Sequence, residues 1–344
     1  MPAAQGTRLT VEIRKRGLDD PGVAEFLAAN DAYLFQQPVW GRVLEALGHP
    51  VGYYCLEEDG RIRIAQPFLL MRIGFFRLLY GDMPYGFAVG DVSRYQEFAE
   101  RLADAARRDG VHRIRLSRNT YDPDVAPPGW HVQEHFQHVL HFEGRSEEQL
   151  WADFKRRVRH DVRVAERRGV VVKDAAHQAD RDIIYDMYYR TMARNRTYVV
   201  WPRELLERIW NLIVEPGNGE MILSWHRGEP LAAMVTFYSG RRCFAFLGAS
   251  TGEKRNLRPN DALFWEAIRR AIARRCDDWD FMMSPATDTA LIAFKDKWGA
   301  VRHPFRFYEK DLAPVACKAW NLAFRIARTR TGGALLRALR KLTG

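Results

Sequence analysis

The sequence predicts a mixed α/β protein of two tandem units, followed by a basic helical tail. Three observations predict it. Strand-type and helix-type segments recur in one order over most of the 344 residues, with a near-constant offset. The turns at Gly60 and Gly228 lie 228 − 60 = 168 residues apart, and the strands ending at Ser117 and Ser284 lie 284 − 117 = 167 apart. Almost no residue identity accompanies this register, so what repeats is a pattern, as expected of two copies of one α/β unit. The second observation is size and composition: the length suits two domains, and 47% apolar with 28% charged residues suits chains that bury a core. The third is charge. After Asp311 there is no acidic residue, while Lys318, Arg325, Arg328, Arg330, Arg337, Arg340 and Lys341 are basic. The formal net charge of +10 therefore leaves 10 − 7 = +3 for everything upstream, which argues against a chain that binds nucleic acid over its whole surface.

The elements follow in order. Arg8–Arg14 alternates as an opening strand, Val23–Asn30 has helical spacing, and Phe35–Trp40 leads into a short helix ending near Gly48. Strands Val51–Glu57 and Arg63–Arg72 flank the Gly60 turn; an apolar strand and a loop precede a helix at Ser93–Asp109 and a strand at His112–Ser117. Tyr121–Trp130, with Pro123, Pro127 and Pro128, is a turn-rich boundary, and His131–Phe142 alternates as the closing strand of the first unit. Ser146 and Gln149 make a capping box that starts one long helix through Arg168, stopped by Gly169. Val170–Val172 opens the second unit, and helices Ile183–Asn195 and Arg203–Val214 come next. Strands Glu220–Trp225 and Leu231–Tyr238 flank Arg227-Gly228, and strand Arg242–Ser250, a polar loop, helix Asn260–Cys276 and strand Trp279–Ser284 follow. A short helix, Ala290–Trp298, stops at Gly299; Val301–Lys310 closes the sheet, and Ala313–Leu342 is an amphipathic helical tail interrupted at Gly332-Gly333. The predicted domains are residues 1–145, 146–312 and the tail 313–344.

No apolar run approaches the roughly 18 residues of a membrane span, and Arg72 interrupts the strongest candidate, Phe68–Phe76. The first eight residues lack the basic-then-apolar design of a signal peptide. Cys55, Cys243, Cys276 and Cys317 are scattered with no metal-binding spacing, so a reducing cytoplasm and no structural zinc are expected.

The residues that could carry chemistry cluster in the second unit. The polar loop Thr251–Asp261 lies between a strand and a helix, where α/β sheets commonly bind ligands. Pro259 and Asn260 fit a helix start whose free amides suit an anion, or simply a capped helix. Lys295 and Lys297 sit on the short helix after the penultimate strand. There a lysine neutralises a phosphate, stabilises charge building on a carbonyl oxygen, or stands on a solvated face. Lys155, Arg159 and Arg163 recur along one helical stripe, either a surface for a phosphorylated ligand or an ordinary basic face. Tyr188, Tyr189, Arg190, Arg194 and Arg196 form an aromatic–basic cluster, although Met187 and Met192 mark part of that helix as core. His131, His135, His138 and His141 lie in one strand and read as structural. No hydrolytic triad, paired carboxylates, Walker loop or zinc motif is present.

Several segments, in order, resemble the FemAB-like branch of the GNAT superfamily, including its BioF-like acetyltransferase domains. They are Phe35-Gln36-Gln37-Pro38-Val39-Trp40; Trp151–Arg163 running on to Gly169-Val170; Gly228–Ala233; Gly248-Ala249-Ser250 with Leu257, Pro259, Asn260, Leu263 and Trp265; and Phe294-Lys295-Asp296-Lys297-Trp298-Gly299. The resemblance implies two tandem GNAT-like domains, the second catalytic, and an N-acyltransferase. It implies that Lys295 contacts the donor or stabilises the oxyanion, that Arg159 and Arg163 contact phosphate, that Asn260 sits beside the donor, and that Tyr189 and Arg190 touch the acceptor. Two departures stand out. The Gln/Arg-x-x-Gly-x-Gly/Ala loop of simple acetyltransferases is missing, which counts against tight pyrophosphate binding, and Asp280-Phe281 is followed by Met282 where the family has glycine.

Three functions stay open. The favoured one moves an acyl group from an acyl-CoA co-substrate, without metal, to an amine of a cell-envelope or polysaccharide precursor, whether a small molecule or lipid-linked. The second is an aminoacyl-tRNA-dependent transfer to a peptidoglycan precursor, disfavoured by the missing arm between residues 173 and 203 and by the mild charge of the body. The third is a non-catalytic binding module of the same fold. The tail 313–344 is expected to lie on an anionic membrane surface, which would place the protein peripherally on the inner face.

Overall fold

The computed structural model describes residues 10–81, 83–195 and 200–327. The first half contains β1 (Val11–Arg16), α1 (Pro21–Ala29), α2 (Pro38–Leu44), β2 (Val51–Glu58), β3 (Arg61–Ile73), β4 (Phe76–Gly81), β5 (Val89–Gly90), α3 (Tyr95–Arg108), β6 (Arg113–Arg118) and β7 (His131–His141). The second contains α4 (Glu147–Asp153), α5 (Arg156–Arg167), β8 (Val171–Asp174), α6 (Gln178–Arg194), α7 (Arg203–Ile209), β9 (Gly219–His226), β10 (Glu229–Ser239), β11 (Arg242–Ser250), α8 (Pro259–Ala273), β12 (Asp278–Ser284), α9 (Thr289–Asp296) and β13 (Val301–Asp311). Helix α10 (Pro314–Ala327) follows. Residues 328–344, with the Gly332-Gly333 interruption, and Arg196 lie outside the described residues, as does the start of the expected Arg8–Arg14 strand. Among the described residues no helix is long and apolar enough to cross a membrane.

All strands join one mixed sheet in the order β1-β2-β3-β4-β6-β13-β7-β12-β11-β10-β9-β8, with β5 on β3. Read inward from each edge, the order repeats: β1-β2-β3-β4-β6 from one side, β8-β9-β10-β11-β12 from the other. The pattern repeat is therefore a repeat of topology. In each copy a hairpin turns through two residues with positive φ, Asp59-Gly60 and Arg227-Gly228, the geometry that a tight two-residue hairpin requires. In each copy one helix, α3 or α8, crosses between two parallel strands, β4 with β6 or β11 with β12.

The closing strands differ from the sequence expectation. β7, expected to close the first unit, pairs with β12 and β13, and β13 pairs with β6. Each half is closed by a strand that follows the other half's crossover, so the halves share one continuous sheet. The seam is aromatic. Phe35 meets Trp40, Tyr85, Phe237 and Phe244 with ring centroids 5.0–6.0 Å apart, in edge-on geometries favoured by ring quadrupoles. Phe35 and Trp40 thus tie α2 and its leading turn to strands of the second half.

The long helix expected from Ser146 to Arg168 is two helices. Ser146 and Gln149 do form the capping box of α4, but Phe154 and Lys155 take extended ψ values of 142°. The break turns Phe154 into the core, where it meets Trp265 and Trp298 edge-on at 5.5 and 5.4 Å. Burying a large ring outweighs the few hydrogen bonds that a continuous helix would add.

Candidate active site

β11 and β12 pair only over Arg242–Phe244 and Asp278–Asp280 and then part. Two irregularities accompany the parting. The β10–β11 register shifts after Val235, and the β12–β7 register shifts between Asp280 and Met283. The gap is a cavity of ≈ 380 Å³ walled by Gly248 and Ser250 of β11, Asn260 and Phe264 of α8, Met282 of β12 and Lys295 of α9. A Cβ placed on Gly248 would meet nothing within 4 Å, so open space lies against the strand. A second cavity of ≈ 310 Å³ shares Ser250, Asn260 and Phe294 with the first and is rimmed by Arg255, Arg258 and Lys297.

At the floor, Met282 has φ +62°, a left-handed conformation costly for any residue but glycine. The position where glycine was expected keeps the backbone shape without the glycine. Contacts on both sides hold it there. The Met282 amide donates to Asp280 Oδ1 at 2.7 Å, and Lys295 Nζ donates to the carbonyls of Met282 and Met283 at 2.9 and 3.1 Å. Asp280 is fully buried; it accepts from Gln137 Nε2 of β7 at 2.7 Å and from the Tyr85 hydroxyl at 3.4 Å. Two distant segments of chain converge on the carboxylate of a third. Burial pushes Asp280 up to about 7, against the pull of its hydrogen bonds and of Lys295. Burial likewise pulls Lys295 down to about 7, with Asp280 and Asp288 opposing. A lysine ammonium has three donors and the two carbonyls take two, which leaves one N–H for a group in the cavity.

The rim shows the same economy of glycine. Arg258, four residues after a second left-handed residue, Lys254, has φ +57° and immediately precedes α8. It fills the fourth place counted from Arg255, where the Gln/Arg-x-x-Gly-x-Gly/Ala signature carries a glycine, and its φ is one that glycine adopts without strain. Arg258 pairs through Nε with the buried Asp161 of α5 at 3.2 Å, and Lys297 pairs with Asp261. On the opposite wall, the Thr191 hydroxyl of α6 bridges the amide and carbonyl of Ser250, each at 3.1 Å. Arg194 donates to the carbonyls of Ser250 and Thr251 at 3.0 and 3.1 Å.

Of the candidate residues, Lys295 and Asn260 stand on the cavity wall. The other four do not. Arg159 is half-buried and donates to the carbonyls of Trp151 and Ala152 at the end of α4; Arg163 lies 5.7 Å from the Trp151 ring. Both serve the α4–α5 junction, and the stripe expected with Lys155 is interrupted because Lys155 caps α5 instead of lying within it. Tyr189 and Arg190 point to solvent from α6, whose inward positions are Met187, Tyr188 and Thr191. Sequence reasoning passed over Arg258 and Met282 as conformational positions, and Thr191, Gln137 and Tyr85 as supports. Asp280 alone carried a signal, through the Asp-Phe pair. His138 is buried against Ser284 Oγ at 3.4 Å and is pulled down to about 4 by burial. Among the described residues no group of three His, Cys, Asp or Glu is placed to hold a metal ion.

Residues 152–296 match the family model described as acetyltransferase (GNAT) domain, the span that holds both walls of this cavity. That stretch of the chain is similar to a GNAT domain. Among solved structures, it is similar to FemX at 16% identity and TM-score 0.65, covering 90% of this chain and 99% of that one. It is also similar to a tandem GNAT protein from the clavulanic acid biosynthesis pathway, at 10% identity and TM-score 0.57, covering 88% and 99%. The C-terminal domain of a putative lysylphosphatidylglycerol synthetase from Agrobacterium fabrum matches at 12% identity and TM-score 0.55, covering 87% and 94%. These likenesses show the fold alone, one in which two α/β halves share a sheet. No match is found among curated proteins.

Proposed function

We propose that this protein transfers an acyl group from an acyl-CoA-type donor to an amine of a cell-envelope or polysaccharide precursor. The observation that carries the reading is the open gap between β11 and β12, with Lys295 at its floor and Arg255, Arg258 and Lys297 on the adjoining rim. Such a donor supplies a thioester carbonyl. On the rim Arg255, which has no acidic partner among the described residues, offsets negative charge of the donor, while Arg258 and Lys297 are held by Asp161 and Asp261; Asn260 positions the chain between rim and floor. Lys295 offers its remaining N–H to the carbonyl oxygen, where charge grows as the amine attacks. The acceptor amine displaces the thiol directly: a C–N bond forms, the C–S bond breaks, and the amine proton leaves to solvent or thiolate. Positioning and electrostatic stabilisation supply most of the rate.

Mixing the protein with acetyl-CoA and a panel of amino sugars and envelope precursors, and following released thiol, tests this. Acceptor-dependent thiol release supports the reading. Silence there with transfer from charged tRNA would move the assignment to the aminoacyl-tRNA class, and silence with both to a binding module. A pH dependence follows from Lys295. Its folded value is about 7, so the charged form holds below that pH and is lost above it. With an acceptor whose amine is already unprotonated at acid pH, turnover at saturating substrate should fall as Lys295 loses its proton with rising pH, and a flat profile with that acceptor would rule out a required ammonium.

A further inference from the structure

We propose that the tip of the β3–β4 hairpin and the outward side of α10 form one edge that docks on an anionic phospholipid surface. This inference goes beyond the acyl-transfer reading and does not depend on it. Twelve large apolar residues are exposed among the described residues, and six of them lie on these two elements. Ile73 is 42% and Phe75 58% exposed at the hairpin tip; Val315 is 83% and Leu322 54% exposed on α10. The elements are about 240 residues apart in sequence and are held together by packing. The Trp320 ring stacks on Phe76 at 4.9 Å and 8°, and buried Cys317 donates through Sγ to the His112 carbonyl at 3.2 Å.

Helix α10 therefore has two apolar sides. Cys317, Trp320 and Phe324 follow i, i+3, i+7 spacing and lie on the side that carries the Phe76 and His112 contacts. Val315, Ala319 and Leu322 follow i, i+4, i+7 spacing on the opposite side and are exposed. A helix needs one apolar side to pack on its own protein, and the second calls for a partner.

Charge selects the partner. Arg72 and Arg77 flank the hairpin tip, and Lys318 and Arg325 lie on α10. The nearby acids are taken: Asp311 by Arg113 at 2.6 Å and Asp109 by Lys15 at 3.0 Å. The sequence after Ala327 adds five more basic residues and no acid. Exposed aromatic and aliphatic side chains beside Arg72, Arg77, Lys318 and Arg325, which have no acidic partner among the described residues, suit the headgroup boundary of an anionic leaflet, where the rings enter the interface and the cations meet phosphate.

The test is sedimentation of the full chain with phosphatidylcholine vesicles and with mixed phosphatidylcholine–phosphatidylglycerol vesicles. The wild type should pellet with the mixed vesicles, with binding weakened by salt, and much less with phosphatidylcholine alone. The double variant Ile73→Ser/Phe75→Ser and, separately, Val315→Ser/Leu322→Ser should each lower partitioning at least ~10-fold while keeping the wild-type melting temperature. Val171→Ser, on the far edge strand β8, should bind as the wild type does. Absence of wild-type binding, or either double variant binding undiminished, overturns the proposal. So does a concentration-dependent dimer abolished by the same substitutions, which would make a second copy of the chain the occupant.

Discussion

Replacing Lys295 with alanine is expected to reduce turnover at least ~10-fold while leaving the protein folded. The ammonium is nearly enclosed at the cavity floor, and its third donor is the one charge-bearing N–H that the surrounding carbonyls leave over. In a water-poor site a preorganised donor of this kind stabilises a developing oxyanion more than it stabilises the neutral carbonyl, which is the requirement for a catalytic rather than a merely binding contact. Alanine also leaves the carbonyls of Met282 and Met283 without this donor, so a second variant separates the roles. Lys295→Met keeps the side-chain volume and removes the charge. It should be as slow as alanine in a thermally intact protein. Wild-type turnover in either variant would reject the role, and loss of the cooperative melt in both would show that Lys295 chiefly holds up β12.

The second large effect is on stability. Phe35→Ala is expected to cost about 3–5 kcal/mol, the range for emptying a buried aromatic site. Phe35 is 2% exposed and packs on rings from both halves, so the cavity would open at the seam and not within one unit. Chemical denaturation followed by tryptophan fluorescence measures it. A loss below about 1 kcal/mol would mean that the seam relaxes around the vacancy and that the halves are less interdependent than the shared sheet implies.

The repeat was legible because a strand–turn–strand–strand–helix–strand pattern leaves the same marks in both copies: Gly60 and Gly228 at the turns, apolar alternation on either side. The exchange of closing strands was not. His131–His141 and Val301–Asp311 alternate in the same way whichever strands they join, and only tertiary packing sets their neighbours. The break at Phe154 was hidden because Phe154 fits a helical period as well as it fits a core site. In the site, Lys295 and Asn260 could be read, since a motif's position and a helix start carry them. Arg258 and Met282 could not be read as left-handed positions, because neither is glycine and their contacts, Arg258 with Asp161 and Met282 with Asp280, exist only in the fold. The same blindness made Arg159 and Arg163 attractive. A basic stripe gives no sign of which guanidinium is already engaged by a carbonyl or a ring.

The central claim is that the gap beside Gly248 receives the donor. Gly248 has no positive φ, and a side chain there enters open space, so Gly248→Trp fills the cavity without straining the strand. Titration of the wild type with acetyl-CoA by calorimetry should show saturable binding, and Gly248→Trp should weaken it at least ~30-fold, about 2 kcal/mol, with an unchanged melting temperature. Equal affinity in the two proteins would contradict the account, because a donor that tolerates a filled gap binds elsewhere.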